Sequence, residues 1–192
     1  MFVFKAAVVG AGTMGGDIAQ VIASAEIPVV LTDIDPRAVE KGLARARSAW
    51  QSQVDAGRLA AAELDRKLAL ITGATDYDGL GDVDFVIEAV PERMEIKQAV
   101  FAELDAVTPG HAILASNTSS LSITEIGEVT SRADKVVGFH FFYPASTMRL
   151  IEVIESEDTS PESAQAAVSF AQALRKLRMP TRAKRLRAIF DA

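Results

Sequence analysis

The 192-residue chain contains no cysteine. That excludes a disulfide, a thiolate nucleophile and a cysteine-ligated zinc site, and it fits a reducing cytoplasm. No metal site is expected. No apolar run approaches the roughly 20 residues that cross a bilayer, so a membrane partner is not expected either. The first residues enter an apolar segment at once, and no signal peptide is expected there. Internal repeats and low-complexity linkers are also missing.

What is present is ordinary globular material, 49% apolar and 24% charged, enough for one well-buried domain. Positive charge is scarce over most of the length. Residues 1–174 carry 13 basic against 25 acidic side chains, a net of −12. An acidic body of this kind makes nucleic acid an unsuitable partner. Residues 175–192 invert the balance with seven basic side chains and one acid, a net of +6.

The most informative stretch is Ala7-Val8-Val9-Gly10-Ala11-Gly12-Thr13-Met14-Gly15-Gly16, followed by Asp33 at the end of the next apolar run. Phe2 to Val9 reads as a buried strand, Met14 to Ala25 as a helix and Ile27 to Leu31 as a second strand. Gly10 suits the tight turn, Gly12 the close approach of a pyrophosphate, and Gly15 close packing of helix on strand. The free N–H groups at the helix start, around Thr13 and Met14, receive phosphate, and Asp33 accepts from ribose hydroxyls. The pattern predicts a dinucleotide site. Asp33 favours NAD over NADP, because a carboxylate repels a 2′-phosphate. Arg37 lies nearby and reads as a solvated helix residue.

Beyond Asp33, helices are predicted from Pro36 to about Ala56 and from Ala60 to Leu70, a hairpin inserted between strands. Strands are predicted over Leu70–Ala74, Asp84–Val90, Ala112–Ala115, Val136–Phe139 and Leu150–Ile154. A helix is predicted from Glu92 to Val107, and another to about Leu174 with Ser160 as N-cap and Pro161 in its first turn. The alternation predicts an α/β fold of Rossmann type: a doubly wound, mostly parallel sheet with an inserted helical hairpin.

Four further segments carry chemistry: Val86-Ile87-Glu88-Ala89-Val90-Pro91-Glu92 with Lys97, Ser116-Asn117-Thr118-Ser119-Ser120-Leu121, Gly138-Phe139-His140-Phe141-Phe142-Tyr143-Pro144, and Met148-Arg149-Leu150-Ile151-Glu152-Val153-Ile154. His140 closes an apolar strand, where the carboxyl edge of an open sheet binds ligands. Glu152 follows on the next strand and can meet it, fixing the imidazole tautomer. Trp50, Phe101, Phe139, Phe141 and Phe142 read as packing, and His111 as an exposed turn residue. Taken alone, Glu92 is a helix-start acid and Lys97 a solvated lysine. The serines and threonines of 116–122 suit helix capping.

Together with the glycine turn, these segments resemble the L-3-hydroxyacyl-CoA dehydrogenase family, including the 3-hydroxybutyryl-CoA dehydrogenases, over residues 3 to about 174. The resemblance implies an NAD-dependent oxidoreductase of fatty acid metabolism, in β-oxidation or butanoate metabolism, that interconverts (3S)-3-hydroxyacyl-CoA and 3-oxoacyl-CoA. It implies His140 as base, Glu152 as its orienter and Ser119 as hydrogen-bond donor to the substrate's 3-oxygen. It also places Glu92, Lys97, Asn117, Ser119 and Tyr143 on the cofactor side with Gly10, Gly12, Thr13, Met14, Gly15 and Asp33. The hairpin resembles the element that reaches towards CoA, where Arg45, Arg47, Arg58, Arg66 and Lys67 are basic.

Two departures stand out. Tyr143 occupies a position where the family usually has asparagine. After Leu174 the family continues with a short strand and a Pro-Gly-Phe-x-x-Asn-Arg segment opening a helical domain, which supplies the family's dimer interface. Residues 175–192 form instead an atypical basic tail. It reads as a changed reading frame or misjoined end, with a membrane-surface helix or a basic arm as alternatives. Without that domain the chain is expected to be a weak or inactive dehydrogenase, to expose apolar surface along Leu150–Leu174, and to lack the family dimer. The alternative is a non-catalytic NAD-binding module.

Overall fold

A computed structural model describes residues 2–182, with side-chain burial for 2–176. The strands are β1 (Ala6–Val9), β2 (Val29–Thr32), β3 (Ile71–Ala74), β4 (Phe85–Glu88), β5 (Ile113–Ser116), β6 (Val136–Phe141), β7 (Leu150–Glu155) and β8 (Leu177–Arg182). The helices are α1 (Thr13–Ser24), α2 (Pro36–Asp55), α3 (Ala61–Leu68), α4 (Met94–Val107), α5 (Ile123–Gly127) and α6 (Pro161–Ala173). One sheet runs β3-β2-β1-β4-β5-β6-β7-β8. Every neighbouring pair is parallel except β6 with β7. The order reverses between β1 and β4, the switch point where the carboxyl ends of strands open a crevice.

Both faces of the sheet are covered, which is why its central strands read as unbroken apolar runs. Ala6 and Val8 of β1 face a core with Ile18, Ile22, Trp50, Phe85, Phe139 and Phe170, while Ala7 and Val9 face one with Val86, Phe101, Leu104 and Ile126. Phe85, Phe139 and Phe170 form a ring cluster with centroids 4.6–5.8 Å apart. The inserted hairpin is α2 and α3. Asp35 caps α2 by accepting from the Arg37 N–H at 2.9 Å. Trp50 ties α2 to α1 by donating from Nε1 to the Ser24 hydroxyl at 3.0 Å.

The structure corrects several expectations. β1 starts at Ala6, and Phe2 and Phe4 are 83% and 77% exposed. The Asp84 carboxylate takes the N–H groups of Phe4 and Lys5, so those residues never join the ladder. β6 runs two residues further than expected, to Phe141, because Ile151 of β7 pairs with it. The expected apolar exposure along Leu150–Leu174 is absent: Ile151, Val153, Ile154, Phe170 and Leu174 are all buried. The ring cluster draws α6 onto the sheet, and β8 extends the sheet beyond β7. No strand was expected after Leu174, yet β8 pairs in parallel with β7 from Leu150↔Leu177 onward. Pro180, which has no N–H to donate, fits a strand at the rim of the sheet. The end of the basic tail, 183–192, lies outside the described residues. His111 is exposed as expected, but its Nε2 stands 3.2 Å from Asp84 Oδ1. Among the described residues no helix is long and apolar enough to cross a membrane.

Candidate active site

The glycine turn joins β1 to α1. Gly10 adopts φ +99°, open to glycine without strain. A Cβ on Gly15 would stand 1.7 Å from the Gly10 carbonyl oxygen, so only glycine lets the helix sit this close. Gly12 differs, because a Cβ there would meet nothing within 4 Å. Protein packing leaves that side free, and it opens onto a cleft of about 600 Å³ lined by Ala11, Gly12, Thr13, Lys41 and Arg45. Gly12 is the N-cap of α1 and supplies no side-chain bond, so the first N–H groups of the helix are available to an anion. Asp33 closes the turn: Oδ2 accepts from the Ala11 N–H at 2.8 Å and Oδ1 from the Asp35 N–H at 3.0 Å. Each oxygen keeps a lone pair for a ribose hydroxyl. These residues fit a dinucleotide diphosphate.

A second cleft, about 360 Å³, lies past Met14 at the ends of β4, β5 and β6. Its lining includes Met14, Glu92, Lys97, Asn117, Ser119, His140, Phe142 and Tyr143. The structure thus brings together all the expected residues of the nicotinamide side. The Asn117 side-chain oxygen accepts from the Phe141 N–H at 2.8 Å, locking the β5 and β6 ends together. Phe142 was expected in the core. It lines the cleft instead, its ring 4.8 Å from that of His140.

His140 and Glu152 are direct cross-strand partners of the antiparallel β6–β7 pair. Nδ1 of His140 stands 2.8 Å from Oε2 of Glu152, and the two side chains are 17% and 19% exposed. A carboxylate accepts only, so Nδ1 carries the hydrogen and Nε2 is left as the proton acceptor.

Glu92 gathers the Ser-rich turn. It accepts from the Thr118 hydroxyl at 2.5 Å and the Ser119 N–H at 3.0 Å, and pairs with Lys97 at 3.2 Å. Burial works against its charge, but these partners outweigh it and hold the carboxyl below its ordinary pKa. Lys97 is not solvated: its side chain is 1% exposed and donates to Glu88 at 2.7 Å. Glu88 is fully buried, also accepting from the Val90 N–H and the Ser116 hydroxyl. Burial pushes Glu88 up, against the pull of Lys97 and those donors. Sequence reasoning assigned Glu88 no role. A lone acid inside the apolar run 85–90, with a lysine nine positions on, was the available signal.

Capping was expected throughout 116–122, and Ser122 alone caps a helix, accepting from the Glu125 N–H at 3.3 Å. Ser116 and Thr118 serve Glu88 and Glu92 instead. On the hairpin, Arg66 and Lys67 turn back to Glu26 at 2.7 and 2.5 Å. Arg45 pairs with Asp17 at 3.4 Å. Burial opposes its charge, but a hydrogen bond with Tyr143 and the Asp17 carboxylate raise the Arg45 pKa.

A family model described as 3-hydroxyacyl-CoA dehydrogenase, NAD binding domain, matches residues 5–184. The crystal structure of (S)-3-hydroxybutyryl-CoA dehydrogenase PaaH1 from Ralstonia eutropha superposes with a TM-score of 0.92 and 38% identity, covering 95% of this chain and 64% of that one. The fatty acid oxidation complex subunit alpha of Pseudomonas savastanoi is 41% identical over 90% of this chain and 24% of its own length. The peroxisomal fatty acid beta-oxidation multifunctional protein MFP2 of Arabidopsis thaliana is 39% identical over 82% of this chain and 22% of its own. The chain therefore spans about a quarter of the length of these curated relatives. It belongs to the 3-hydroxyacyl-CoA dehydrogenase family, as that family's NAD-binding domain.

Proposed function

We propose that this domain serves an NAD-dependent oxidoreductase interconverting (3S)-3-hydroxyacyl-CoA and 3-oxoacyl-CoA in fatty acid metabolism. The observation that carries the reading is the His140–Glu152 pair, 2.8 Å apart, at a cleft shared with Ser119, Asn117, Glu92 and Lys97. Oxidation of a secondary alcohol needs a base for the hydroxyl proton as hydride leaves the carbon. His140 Nε2 takes that proton, and Glu152 stabilises the imidazolium that forms. Ser119 donates to the substrate's 3-oxygen, its N–H already held by Glu92. Asp33, Gly10, Gly12, Thr13, Met14 and Gly15 would hold the adenosine and diphosphate half of NAD. Glu92, Asn117, Ser119 and Tyr143 would hold the nicotinamide half, with the buried Lys97 behind them paired to Glu92 at 3.2 Å. NAD held there would supply the hydride acceptor, and its reduced form the hydride donor.

The acyl-CoA is the partner, and the cytoplasm is the compartment consistent with a chain free of cysteine. The test is reduction of acetoacetyl-CoA by NADH, with the helical domain of a relative fused after Leu174. Activity that disappears in His140→Ala supports the reading. Absence of turnover in a folded fusion that binds NADH would favour a non-catalytic binding module.

A further inference from the structure

Glu88 reaches neither cleft, yet it joins three segments that line the second one. Its Oε1 accepts from the Val90 N–H at 2.7 Å, in the loop after β4, and from Lys97 Nζ of α4 at 2.7 Å. Its Oε2 accepts from the Ser116 hydroxyl at 2.6 Å, and the Ser116 oxygen in turn accepts from the Thr118 N–H at 3.2 Å. Lys97 is saturated by three acceptors: Glu88, Glu92 at 3.2 Å and the Val90 carbonyl at 3.3 Å. A buried ion pair is a poor device for stability, since apolar residues of similar volume do as well or better. Its place here, directly behind Glu92, Ser119 and Asn117, suits a different task.

We propose that Glu88 is a positioning residue that holds Lys97 in place and gives the Glu88–Lys97–Glu92 group a net charge of minus one beside the nicotinamide cleft. Two carboxylates and one ammonium, with Glu88 and Lys97 buried and Glu92 partly exposed towards the cleft, favour a cation in front of them. The oxidised nicotinamide ring is such a cation, and the reduced ring is neutral. Glu88 thereby sets how strongly the site prefers NAD⁺ relative to NADH. The inference rests on the NAD-binding reading above and goes beyond it, because that reading assigns Glu88 nothing.

Calorimetric titration of the whole chain with NAD⁺ and with NADH, at pH 8, tests this through the ratio of the two dissociation constants. In Glu88→Gln the amide keeps the size and one acceptor but loses the charge. NAD⁺ binding should weaken more than NADH binding, raising the ratio Kd(NAD⁺)/Kd(NADH) by about 3- to 30-fold, as expected for one unit charge lost at short range in partly screened protein. Ser116→Ala removes a hydrogen bond from Glu88 without removing charge, and should leave the ratio unchanged. A Glu88→Gln ratio equal to that of the unsubstituted chain, or a Ser116→Ala ratio that rises as much, would overturn the proposal. If Glu88→Gln fails to fold, Glu92→Gln deletes the same charge from the half-exposed side. Its ratio must then rise likewise, and an unchanged ratio contradicts the inference. If the unsubstituted chain binds neither form, the cofactor reading itself fails and this inference falls with it.

Discussion

His140 and Glu152 face each other across the antiparallel β6–β7 pair, with Nδ1 and Oε2 2.8 Å apart. The register aligns them: a one-residue slip of β7 would leave Glu152 on the opposite face of the sheet from His140. Glu152→Gln keeps the shape but lets the side chain present an N–H, which disfavours the tautomer with a free Nε2. In the fused enzyme this substitution should lower kcat by about 10–10³-fold with little change in KM, since orienting the base is only part of the 10²–10⁴ a base contributes. Steady-state kinetics with acetoacetyl-CoA checks it, and an unchanged kcat would remove Glu152 from the mechanism.

Asp33 both closes the glycine turn and offers oxygens to the ribose. Asp33→Ala frees the Ala11 and Asp35 N–H groups as well as removing the acceptor. NADH affinity in calorimetric titration should fall by about tenfold or more, since bonds to a charged group are worth about 1.5–3 kcal/mol. NADPH should bind the unsubstituted chain more weakly than NADH. The reverse order would contradict the role given to Asp33.

Phe170 closes the ring cluster with Phe85 and Phe139, its side chain 2% exposed. Phe170→Ala should cost about 3–5 kcal/mol in denaturant unfolding, from lost burial and the cavity left behind. A loss under about 1 kcal/mol would mean that α6 does not pack on the sheet as described.

Asp105 has its pKa held below its ordinary value of 3.8. Burial opposes this, and the Ser131 N–H and the Arg132 guanidinium outweigh it. A lowered folded-state pKa means that the unfolded chain binds the proton first on acidification. The stability from Asp105 is therefore full above about 3.8 and is lost as pH falls through the folded value. Asp105→Asn should flatten that part of the acid limb in thermal unfolding at pH 2–5. A limb as steep as the parent's would show that Asp105 does not contribute to it.

The legible parts of this molecule were those whose physics is local or whose pattern is dense. The glycine turn, Asp33 and the hairpin's start at Asp35–Pro36 each declare themselves within a few residues. His140 and Glu152 sit on consecutive strands, so one turn brings them together. Burial of Lys97 was not legible, because it depends on Glu88 of another element accepting its proton-bearing end. The start of β1 was misjudged because the apolar run says nothing of Asp84, 80 positions from Phe4, which takes up the backbone there. β8 was missed because basic residues in a tail look solvated, and only the open rim of β7 gives them a partner.

The most direct measurement of the central claim is the rate of NADH oxidation with acetoacetyl-CoA by the fused enzyme, compared with its His140→Ala form. The account predicts a 10²–10⁴-fold lower kcat in the variant, with NADH affinity within about twofold of the parent. A His140→Ala enzyme that turns over at the parent's rate would show that the His140–Glu152 pair is not the acid–base centre.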